Sequence, residues 1–307
     1  MRIGVTGSSG LIGTALVQAA RERGDSVIRF VRPGTESPES EVIRWNPTAD
    51  DVDEADLRKV GGLDAVVHLA GAGIADRRWN AERRKEILDS RTRSTELLSI
   101  AIAALPSGCP MVASGSAIGY YGSRGDEILA ESSSTGSGFL ADVCQKWERA
   151  ADPLRDLGTK VSYLRTGIVM SSRGGALKKQ IPLFRLGLGG PLSHGDQWMS
   201  PISLADEVRA ILWIVDRNLD GPVNLTSPSP LTNRAFTKVL ARQLHRPSVV
   251  SAPTPALRLM LGADLVDQVI LASQRTIPTR LTESGFEFRH PNANAIVHWA
   301  LTEERGR

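Results

Sequence analysis

The sequence has few cysteines, few aromatic residues and no long apolar run. Its two cysteines, Cys109 and Cys144, do not have the spacing of metal ligands, which argues against a disulfide framework and a structural zinc site. No run of about 18 apolar residues occurs, so we expect no membrane-spanning helix. From the missing metal-ligand spacing we expect no bound metal. The N-terminal stretch lacks the apolar core of a signal peptide, so we expect a cytoplasmic protein.

An excess of charge of either sign is also missing. The chain has 37 Lys and Arg against 34 Asp and Glu, a net charge of +3, and its aromatic residues (5%) are not interleaved with basic ones. Nucleic-acid binding would need basic residues concentrated on one face, so we expect no nucleic-acid partner. A small molecule is the expected partner, and the sequence leaves open whether the protein is a monomer or a homodimer.

What is present is an alternation of short apolar runs with helical patterns. Such an order indicates parallel βαβ units, and hence an α/β protein with a doubly wound parallel sheet. The predicted strands are residues 2–6, 26–31, 41–43, 64–70, 110–114, 160–165 and 222–225, and the predicted helices are 11–23, 80–104, 139–157, 204–216 and 233–244.

A glycine-rich turn follows the first strand and opens the first helix. Gly7 permits a tight turn, Gly10 lets the backbone approach a diphosphate, and Gly13 allows close packing of the helix on the strand. The helix N-terminus then offers N–H groups to phosphate. This order predicts the dinucleotide site of a Rossmann fold rather than a purely structural turn. Its predicted cofactor-binding residues are Gly7, Ser8, Ser9, Gly10, Leu11, Ile12 and Gly13.

The end of the second strand indicates which dinucleotide is bound. Proteins that bind NAD usually have an acidic residue there, whereas this chain has Arg32 and no carboxylate before Glu36. A guanidinium can pair with the 2′-phosphate of NADP. We therefore predict NADP(H), the alternative being that Arg32 is an ordinary solvated loop residue.

After about residue 165 the alternation is lost. Residues 172–200 are rich in glycine, and the tail from residue 253 consists of short helical patterns interrupted by proline and glycine. We expect residues 1–165, completed by about 201–226, to form the NADP-binding Rossmann domain. Residues 166–200 and 227–307 should form a smaller C-terminal substrate lobe, with a cleft beyond the carboxyl ends of the strands.

Several further segments form a recognisable combination. They are 67–71 (VHLAG), 114–122 (SGSAIGYYG), 164–169 (LRTGIV), 45–47 (WNP), 78–79 (RW), 90–91 (SR), 184–190 (FRLGLGG), 195–198 (GDQW) and the tail from 253. They resemble the extended, nucleotide-sugar-epimerase-like branch of the short-chain dehydrogenase/reductases, and most closely its atypical "epimerase family protein" subgroup, which has a characteristic C-terminal segment. The resemblance implies that Leu69, Ala70, Gly71, Ser114 and Arg165 contact the cofactor and that Trp79, Gln197 and Trp198 contact substrate.

One feature of ordinary members is missing: no Tyr-x-x-x-Lys pair occurs. In that pair the lysine lowers the tyrosine pKa and the tyrosine acts as general acid or base; here the two positions are Leu140 and Cys144. The atypical subgroup also lacks the pair. Ser116 and Tyr121 are the remaining catalytic candidates, against the alternatives of a turn cap and a packed aromatic ring.

These observations favour an NADP(H)-binding oxidoreductase or nucleotide-sugar epimerase of unknown substrate. Loss of the tyrosine and lysine keeps an alternative open, a non-catalytic NADP(H)-binding sensor or regulator.

Overall fold

Strands and helices alternate along the computed structural model, which describes residues 1–35, 42–302 and 304. Glu36, the first carboxylate after Arg32, and Glu41, where the third strand was predicted to begin, lie outside these residues. The strands are β1 (Arg2–Thr6), β2 (Ser26–Val31), β3 (Val42–Asn46), β4 (Asp51–Val52), β5 (Ala65–His68), β6 (Met111–Ala117), β7 (Ile128–Leu129), β8 (Lys160–Thr166), β9 (Ile168–Met170), β10 (Trp198–Met199), β11 (Pro201–Ser203), β12 (Gly221–Leu225), β13 (Leu231–Thr232) and β14 (Arg275–Thr276).

The helices include the long ones that the sequence pattern predicts. They are α1 (Leu11–Glu22), α2 (Glu54–Val60), α3 (Ala81–Ala103), α4 (Phe139–Arg149), α5 (Asp152–Asp156), α6 (Gly175–Arg185), α7 (Leu204–Arg217), α8 (Asn233–Gln243), α9 (Thr254–Leu261), α10 (Ala263–Leu265), α11 (Thr279–Glu283) and α12 (Ala293–Thr302), with a 3₁₀ turn at Ile118–Tyr121 and a π-helical turn at Val266–Ile270. In the described part of the chain, no helix combines the length and the apolar character needed to cross a membrane.

One large sheet organises the fold. Its strand order is β12-β8-β6-β5-β1-β2-β3-β4, and all neighbours are parallel except β3 and β4. The chain builds outward from β1 through β2 to β3, then crosses back to β5 and builds in the other direction. The direction therefore changes between β1 and β5, and the predicted doubly wound Rossmann-type α/β fold is confirmed. In such sheets ligands bind where the order reverses, beyond the carboxyl ends of the strands.

Apolar side chains cover both faces of this sheet, as its parallel strands require. One buried cluster includes Ile3 and Val5 together with Leu16 of α1. The other includes Val66 of β5 and Leu97 of α3. Each fully buried aliphatic side chain contributes about 1.5–3 kcal/mol, so the two layers hold the carboxyl edge of the sheet rigidly in place.

The helix predicted over residues 139–157 is in fact two helices, and the single-helix prediction was wrong. α4 ends at Arg149, and α5 begins at Asp152 with Pro153 in its first turn. Proline lacks an N–H and restricts the residue before it, which ends a preceding helix and is tolerated at the start of the next.

The C-terminal part adds small sheets to the edge of the large one. β9 pairs with β11, β10 with β13, and β14 with β7, while β12 extends the large sheet beside β8. The buried carboxylate of Asp206 accepts hydrogen bonds from the backbone N–H groups of Arg289 (3.0 Å) and His290 (2.7 Å). These contacts fasten the tail to the first turn of α7.

Candidate functional site

The glycine turn leaves no room for side chains at two of its three glycines. Gly7 has φ of +63°, and a Cβ there would lie 2.6 Å from the carbonyl oxygen of Leu69. A Cβ on Gly13 would lie 2.2 Å from the carbonyl oxygen of Gly7. Gly10 precedes α1 as its N-cap and has no side chain to bond the first-turn N–H groups. The turn is therefore closely packed on its inner side and presents helix N–H groups suited to a phosphate on its outer side.

The loop after β5 is fastened to the glycine turn. Thr6 Oγ1 accepts hydrogen bonds from the N–H groups of Leu69 (3.0 Å) and Ala70 (3.2 Å) and is hydrogen-bonded to His68 Nδ1 (2.8 Å). His68 is fully buried, and burial lowers its pKa to about 3, so the ring is neutral at physiological pH. The structure thus brings the predicted residues Leu69, Ala70 and Gly71 beside the glycine turn, at the point where the strand order reverses.

An arginine that sequence reasoning missed lies next to this turn. Arg29 Nε donates a hydrogen bond to Ser8 Oγ at 2.9 Å. Arg32, the residue predicted to bind the 2′-phosphate, follows the end of β2 and is exposed. The signal for Arg29 was available, because a basic residue interrupts an otherwise apolar strand. Arg29, within β2, and Arg32, directly after it, are thus two basic residues in the second half of this strand and just beyond it.

Ser116, Tyr121 and Arg165 belong to a buried polar network. Arg165 Nε and Nη2 each lie 2.9 Å from a different carboxylate oxygen of Glu148 in α4. Ser116 Oγ donates to Glu148 Oε1 at 2.7 Å. Tyr121 Oη accepts from Arg165 Nη1 at 3.0 Å and donates to Asn224 Oδ1 of β12 at 2.8 Å. The ion pair and the two hydroxyls thus connect α4, β6, β8 and β12.

Burial restricts what these groups can do. Tyr121 is 0% exposed, and burial raises its pKa to about 12, with the Arg165 cation opposing that rise. Ser116 is 4% exposed, and its hydroxyl oxygen keeps lone pairs that can accept a hydrogen bond. Ser114, predicted to contact the cofactor, is fully buried, and its hydroxyl has no hydrogen-bond partner within the described residues.

Leu140 and Cys144, at the positions of the missing pair, lie on the side of α4 that faces Gly119 in the 3₁₀ turn. A Cβ built on Gly119 would lie 3.5 Å from Leu140 Cβ and 3.6 Å from Cys144 Sγ. Leucine carries no proton, and burial raises the pKa of the Cys144 thiol to about 12. Neither side chain can replace the tyrosine as general acid or base at neutral pH.

A small cavity lies between α4 and the C-terminal segment. Gly119, Leu140, Gln268 and Gln274 are among the residues that line it. Gln268 Oε1 accepts from the N–H of Leu140 (3.4 Å), and Gln274 Nε2 donates to the carbonyl of Gly122 (3.1 Å). The cavity therefore lies between Leu140, at the tyrosine position of the missing pair, and Gln268 and Gln274 of the C-terminal segment. Gln268 carried no recognisable sequence signal, whereas Gln274 belongs to the tail that suggested the family.

The residues predicted to contact substrate lie in two places. Trp79 packs edge-on against Phe139, with ring centroids 5.3 Å apart. Gln197 Nε2 donates to the carbonyl of Ile270 (3.3 Å), and the Trp198 ring lies beneath the guanidinium of Arg275 at 4.1 Å. Trp79 thus lies at the start of α4, while Gln197 and Trp198 lie against the C-terminal segment.

The carboxyl group of Glu207 is also buried, beside Thr166 at the end of β8. It lies in the first turn of α7 and is fully buried. Thr166 Oγ1 donates to Glu207 Oε1 at 2.8 Å, and burial raises the pKa of the carboxyl to about 8. Glu207 is therefore largely protonated at neutral pH. Within residues 1–35, 42–302 and 304, no group of acidic, histidine or cysteine side chains is arranged to hold a metal ion.

Comparison with known proteins agrees with this geometry. Residues 3–141 match the NAD dependent epimerase/dehydratase family, and residues 252–300 match a domain of unknown function, DUF1731. The chain is 42% identical over 301 residues to the epimerase family protein Mb2239 of Mycobacterium bovis, covering 98% of this chain and 97% of that protein. It is 34% identical over 294 residues to a chloroplastic SDR39U1 homolog of Arabidopsis thaliana, covering 94% and 84%.

A solved structure with high similarity is that of human epimerase family protein SDR39U1 (isoform 2) with NADPH. It superposes with a TM-score of 0.85 at 29% identity and covers 98% of this chain and 100% of that one. The resemblance predicted from the sequence is therefore confirmed. The chain belongs to the epimerase family proteins, in which an NAD(P)-binding Rossmann fold is followed by the DUF1731 segment.

Proposed function

We propose that this protein binds NADP(H) where the strand order reverses, between the glycine turn and the loop after β5. The observation that carries the proposal is the packing of Gly7 and Gly13, which brings the start of α1 against this loop. The amides after Gly10 would hold the diphosphate. Leu69, Ala70 and Gly71 would border it. The related human protein was solved with NADPH, which supports the choice of dinucleotide.

Arg29 and Arg32 would select NADP(H) over NAD(H). A 2′-phosphate accepts charge-assisted hydrogen bonds from guanidinium groups, and the 2′-hydroxyl of NAD does not offer the same charge. Arg29 is already oriented by Ser8, so it loses little freedom on binding. Arg32 is exposed and would add a second, weaker contact.

The chemistry that we propose is that of an atypical oxidoreductase or nucleotide-sugar epimerase whose substrate is not yet known. When bound, NADP(H) supplies or accepts a hydride. Ser116 Oγ, fixed by its hydrogen bond to Glu148, would accept a hydrogen bond from a substrate hydroxyl. Trp79, Gln197 and Trp198 would line the substrate side, with the cavity between Leu140 and Gln274 as its inner end.

A second candidate is a non-catalytic NADP(H) sensor or regulator. It is favoured by a specific observation: Tyr121 is buried, Leu140 carries no proton, and burial raises the pKa of Cys144 to about 12. A protein that had kept its cofactor site after losing the general acid would have this arrangement.

Two measurements separate these candidates. Fluorescence titration with NADPH and NADH tests binding, and turnover of a panel of carbonyl compounds and nucleotide sugars tests catalysis. Turnover that is lost in Ser116→Ala, with NADPH affinity unchanged, supports the enzyme. Tight NADPH binding without turnover of any panel member supports the sensor. Tyr121→Phe serves as the matched hydroxyl deletion, and it should leave NADPH affinity unchanged because its hydroxyl bonds only protein groups.

We also propose a division of labour along the chain. Residues 1–165 with 201–226 would form the NADP-binding domain, which is supported by the place of β12 in the large sheet. Residues 166–200 and 227–307 would form the substrate side. The two free thiols of Cys109 and Cys144, both buried, suit the reducing cytoplasm that we propose for this protein.

A further inference from the structure

Large apolar side chains are exposed unevenly over the surface. Eleven of them are exposed in the described part of the chain, and seven of these lie on the substrate side. They belong to the end of α6 with the residues after it, to the segment between α8 and α9, and to the end of α9. The seven are Leu183, Leu186, Leu188, Val249, Val250, Leu259 and Met260. Single exposed apolar residues are ordinary, whereas a group of them marks a surface that binds a partner.

Contacts between these segments hold them together on one part of the surface. Arg246 Nε, in the segment between α8 and α9, donates to the carbonyl of Arg185 at the end of α6 (2.8 Å). Arg78, in the loop after β5, donates from Nε to the carbonyl of Met260 in α9 (3.2 Å). Lys179 of α6 donates to a backbone carbonyl of that same loop (3.4 Å). The exposed apolar residues therefore belong to neighbouring segments that surround one loop.

The same segments contain basic side chains and no acidic ones. Residues 171–195 and 244–263 include six Lys and Arg and no Asp or Glu, in a chain whose net charge is only +3. Within the described residues, four exposed cations here have no carboxylate partner: Lys178, Lys179, Arg185 and Arg246. These four residues and the seven apolar ones form what we call the basic apolar face.

The combination of charge and aliphatic side chains decides between possible occupants. In a two-fold dimer this face would meet itself, and like charges would come together without counter-ions. Nucleic acid would neutralise the charges but leave the aliphatic side chains in water, and the face has no aromatic ring on which bases could stack. The surface of an anionic bilayer accepts both, because its headgroups attract cations and the boundary of its acyl chains takes up apolar side chains.

We propose that the basic apolar face docks on the surface of an anionic lipid bilayer. Its aliphatic side chains enter the headgroup region, and its lysines and arginines lie against lipid phosphates. Docking of this kind needs no helix that crosses the bilayer, and the described part of the chain contains none. It turns the substrate side toward the lipid, since α6 and α9 both contact the loop after β5. The proposal does not depend on NADP(H) binding.

Co-sedimentation of the full chain with vesicles tests the proposal. Vesicles of equal parts phosphatidylglycerol and phosphatidylcholine should bind the protein about 10-fold or more tightly than vesicles of phosphatidylcholine alone. Because exposed charges are screened by salt, this binding should weaken several-fold between about 0.1 M and about 1 M NaCl. Equal binding to the two kinds of vesicle, or no binding to either, would overturn the proposal.

A pair of serine substitutions tests the apolar part of the face. Val249→Ser with Leu259→Ser changes the two most exposed apolar side chains, 82% and 76% exposed, and should weaken binding to the anionic vesicles by about 10-fold or more. Ile100→Ser with Leu157→Ser is the matched control, because these residues are also exposed but lie in α3 and after α5. The control should bind as the wild type does. Wild-type binding by both double variants would show that the face does not enter the bilayer.

A pair of charge reversals tests the basic part. Lys178→Glu with Arg185→Glu changes two cations of α6 and should weaken binding to the anionic vesicles by about 10-fold or more. Lys146→Glu with Lys160→Glu makes the same change in net charge within α4 and at the start of β8, and it should cost about threefold or less. Equal losses in the two variants would mean that net charge alone attracts the vesicles, which contradicts docking by this face.

Two further measurements deal with folding and with the other occupants. Urea unfolding should give wild-type stability for all four double variants, because each substituted side chain is exposed. Light scattering measures self-association. A dimer that Val249→Ser with Leu259→Ser dissociates, in a protein that does not bind anionic vesicles, would assign the face to a second copy of the chain and overturn the proposal.

Discussion

Two neighbouring regions at the carboxyl edge of the sheet differ in how they are built. Around β1 and β5 the chain is closely packed backbone, with glycines at positions where a Cβ would collide with a carbonyl oxygen. Around β6 and α4 it is a network of buried side chains, in which Ser116 and Arg165 both donate to Glu148 and Arg165 also donates to Tyr121. The first region has the form of a ligand cradle, and the second is largely occupied by its own interactions. The comparison teaches that cofactor binding and proton transfer depend on separate features of this fold and can change separately.

The largest effect is expected where the cradle is tightest. Gly13→Ala puts a methyl group 2.2 Å from the carbonyl oxygen of Gly7, and backbone cannot yield that far without moving the turn. NADPH affinity should fall by about 100-fold or more, with a loss of several kcal/mol in stability. Calorimetry and urea unfolding measure the two effects. Gly10→Ala is the comparison: its nearest protein contact is 3.3 Å, so it should lose much less stability, while its methyl group should still weaken NADPH binding where the backbone approaches the diphosphate. Equal NADPH binding by Gly13→Ala and the wild type would show that cofactor binding does not depend on the close packing of the glycine turn.

Arg165→Met should affect stability much more than cofactor binding. It leaves the buried Glu148 carboxylate without its bidentate partner, and breaking a buried pair in this way costs about 3–5 kcal/mol. Urea unfolding measures the loss. The exposed pair of Arg124 and Glu127 provides a control, since its removal should cost about 1 kcal/mol or less. A variant of full stability that no longer binds NADPH would show instead that Arg165 faces the cofactor.

Glu207 predicts a dependence of stability on pH. Burial raises its pKa from 4.5 to about 8 in the folded protein, so folding favours the protonated form. Its contribution is complete below about pH 4.5 and is lost as the pH rises through about 8. Glu207→Gln keeps a neutral side chain at every pH. Between about pH 5 and pH 9 the free energy of unfolding of the wild type should fall relative to Glu207→Gln, on the order of a few kcal/mol. Parallel profiles for the two proteins would mean that Glu207 is ionised in the fold.

The smallest expected effect concerns cofactor choice. Arg29→Ala removes a guanidinium oriented by Ser8 and should weaken NADPH binding by about 10-fold while changing NADH binding little. Arg32→Ala, at the exposed site, should cost less. Fluorescence titration of both variants with both dinucleotides gives the ratio. An unchanged preference in the double variant would mean that neither arginine contacts the 2′-phosphate.

Much of the glycine turn could be predicted from the sequence, whereas the buried hydrogen-bond network of Ser116, Tyr121 and Arg165 could not. The bounds predicted for β1 and β2 match the structure, because short apolar strands and glycine spacing are local features. Contacts between distant residues leave no such local pattern. Ser116 meets Glu148 32 residues later, and Tyr121 meets Asn224 103 residues later. The position of these residues in the sequence could not show that both hydroxyls bond interior groups, nor that Arg165 is paired with Glu148.

Other differences also have physical causes. The sequence pattern predicted one helix that continued past Pro153, whereas a new helix begins at Asp152. Arg29 was overlooked because a strand with one basic residue still fits the pattern of a buried strand, although alternation places that side chain on the face of the glycine turn. For Arg29 the deciding factor was packing between elements, whereas Pro153 acts through its own backbone geometry.

The most direct test of the account is a calorimetric titration of the wild-type protein with NADPH and with NADH. We predict that one NADPH binds per chain, with an affinity about 10-fold or more above that for NADH. No heat with NADPH at protein concentrations that give a clear signal for related dinucleotide-binding proteins would contradict its central claim, that the backbone between β1 and α1 holds a dinucleotide.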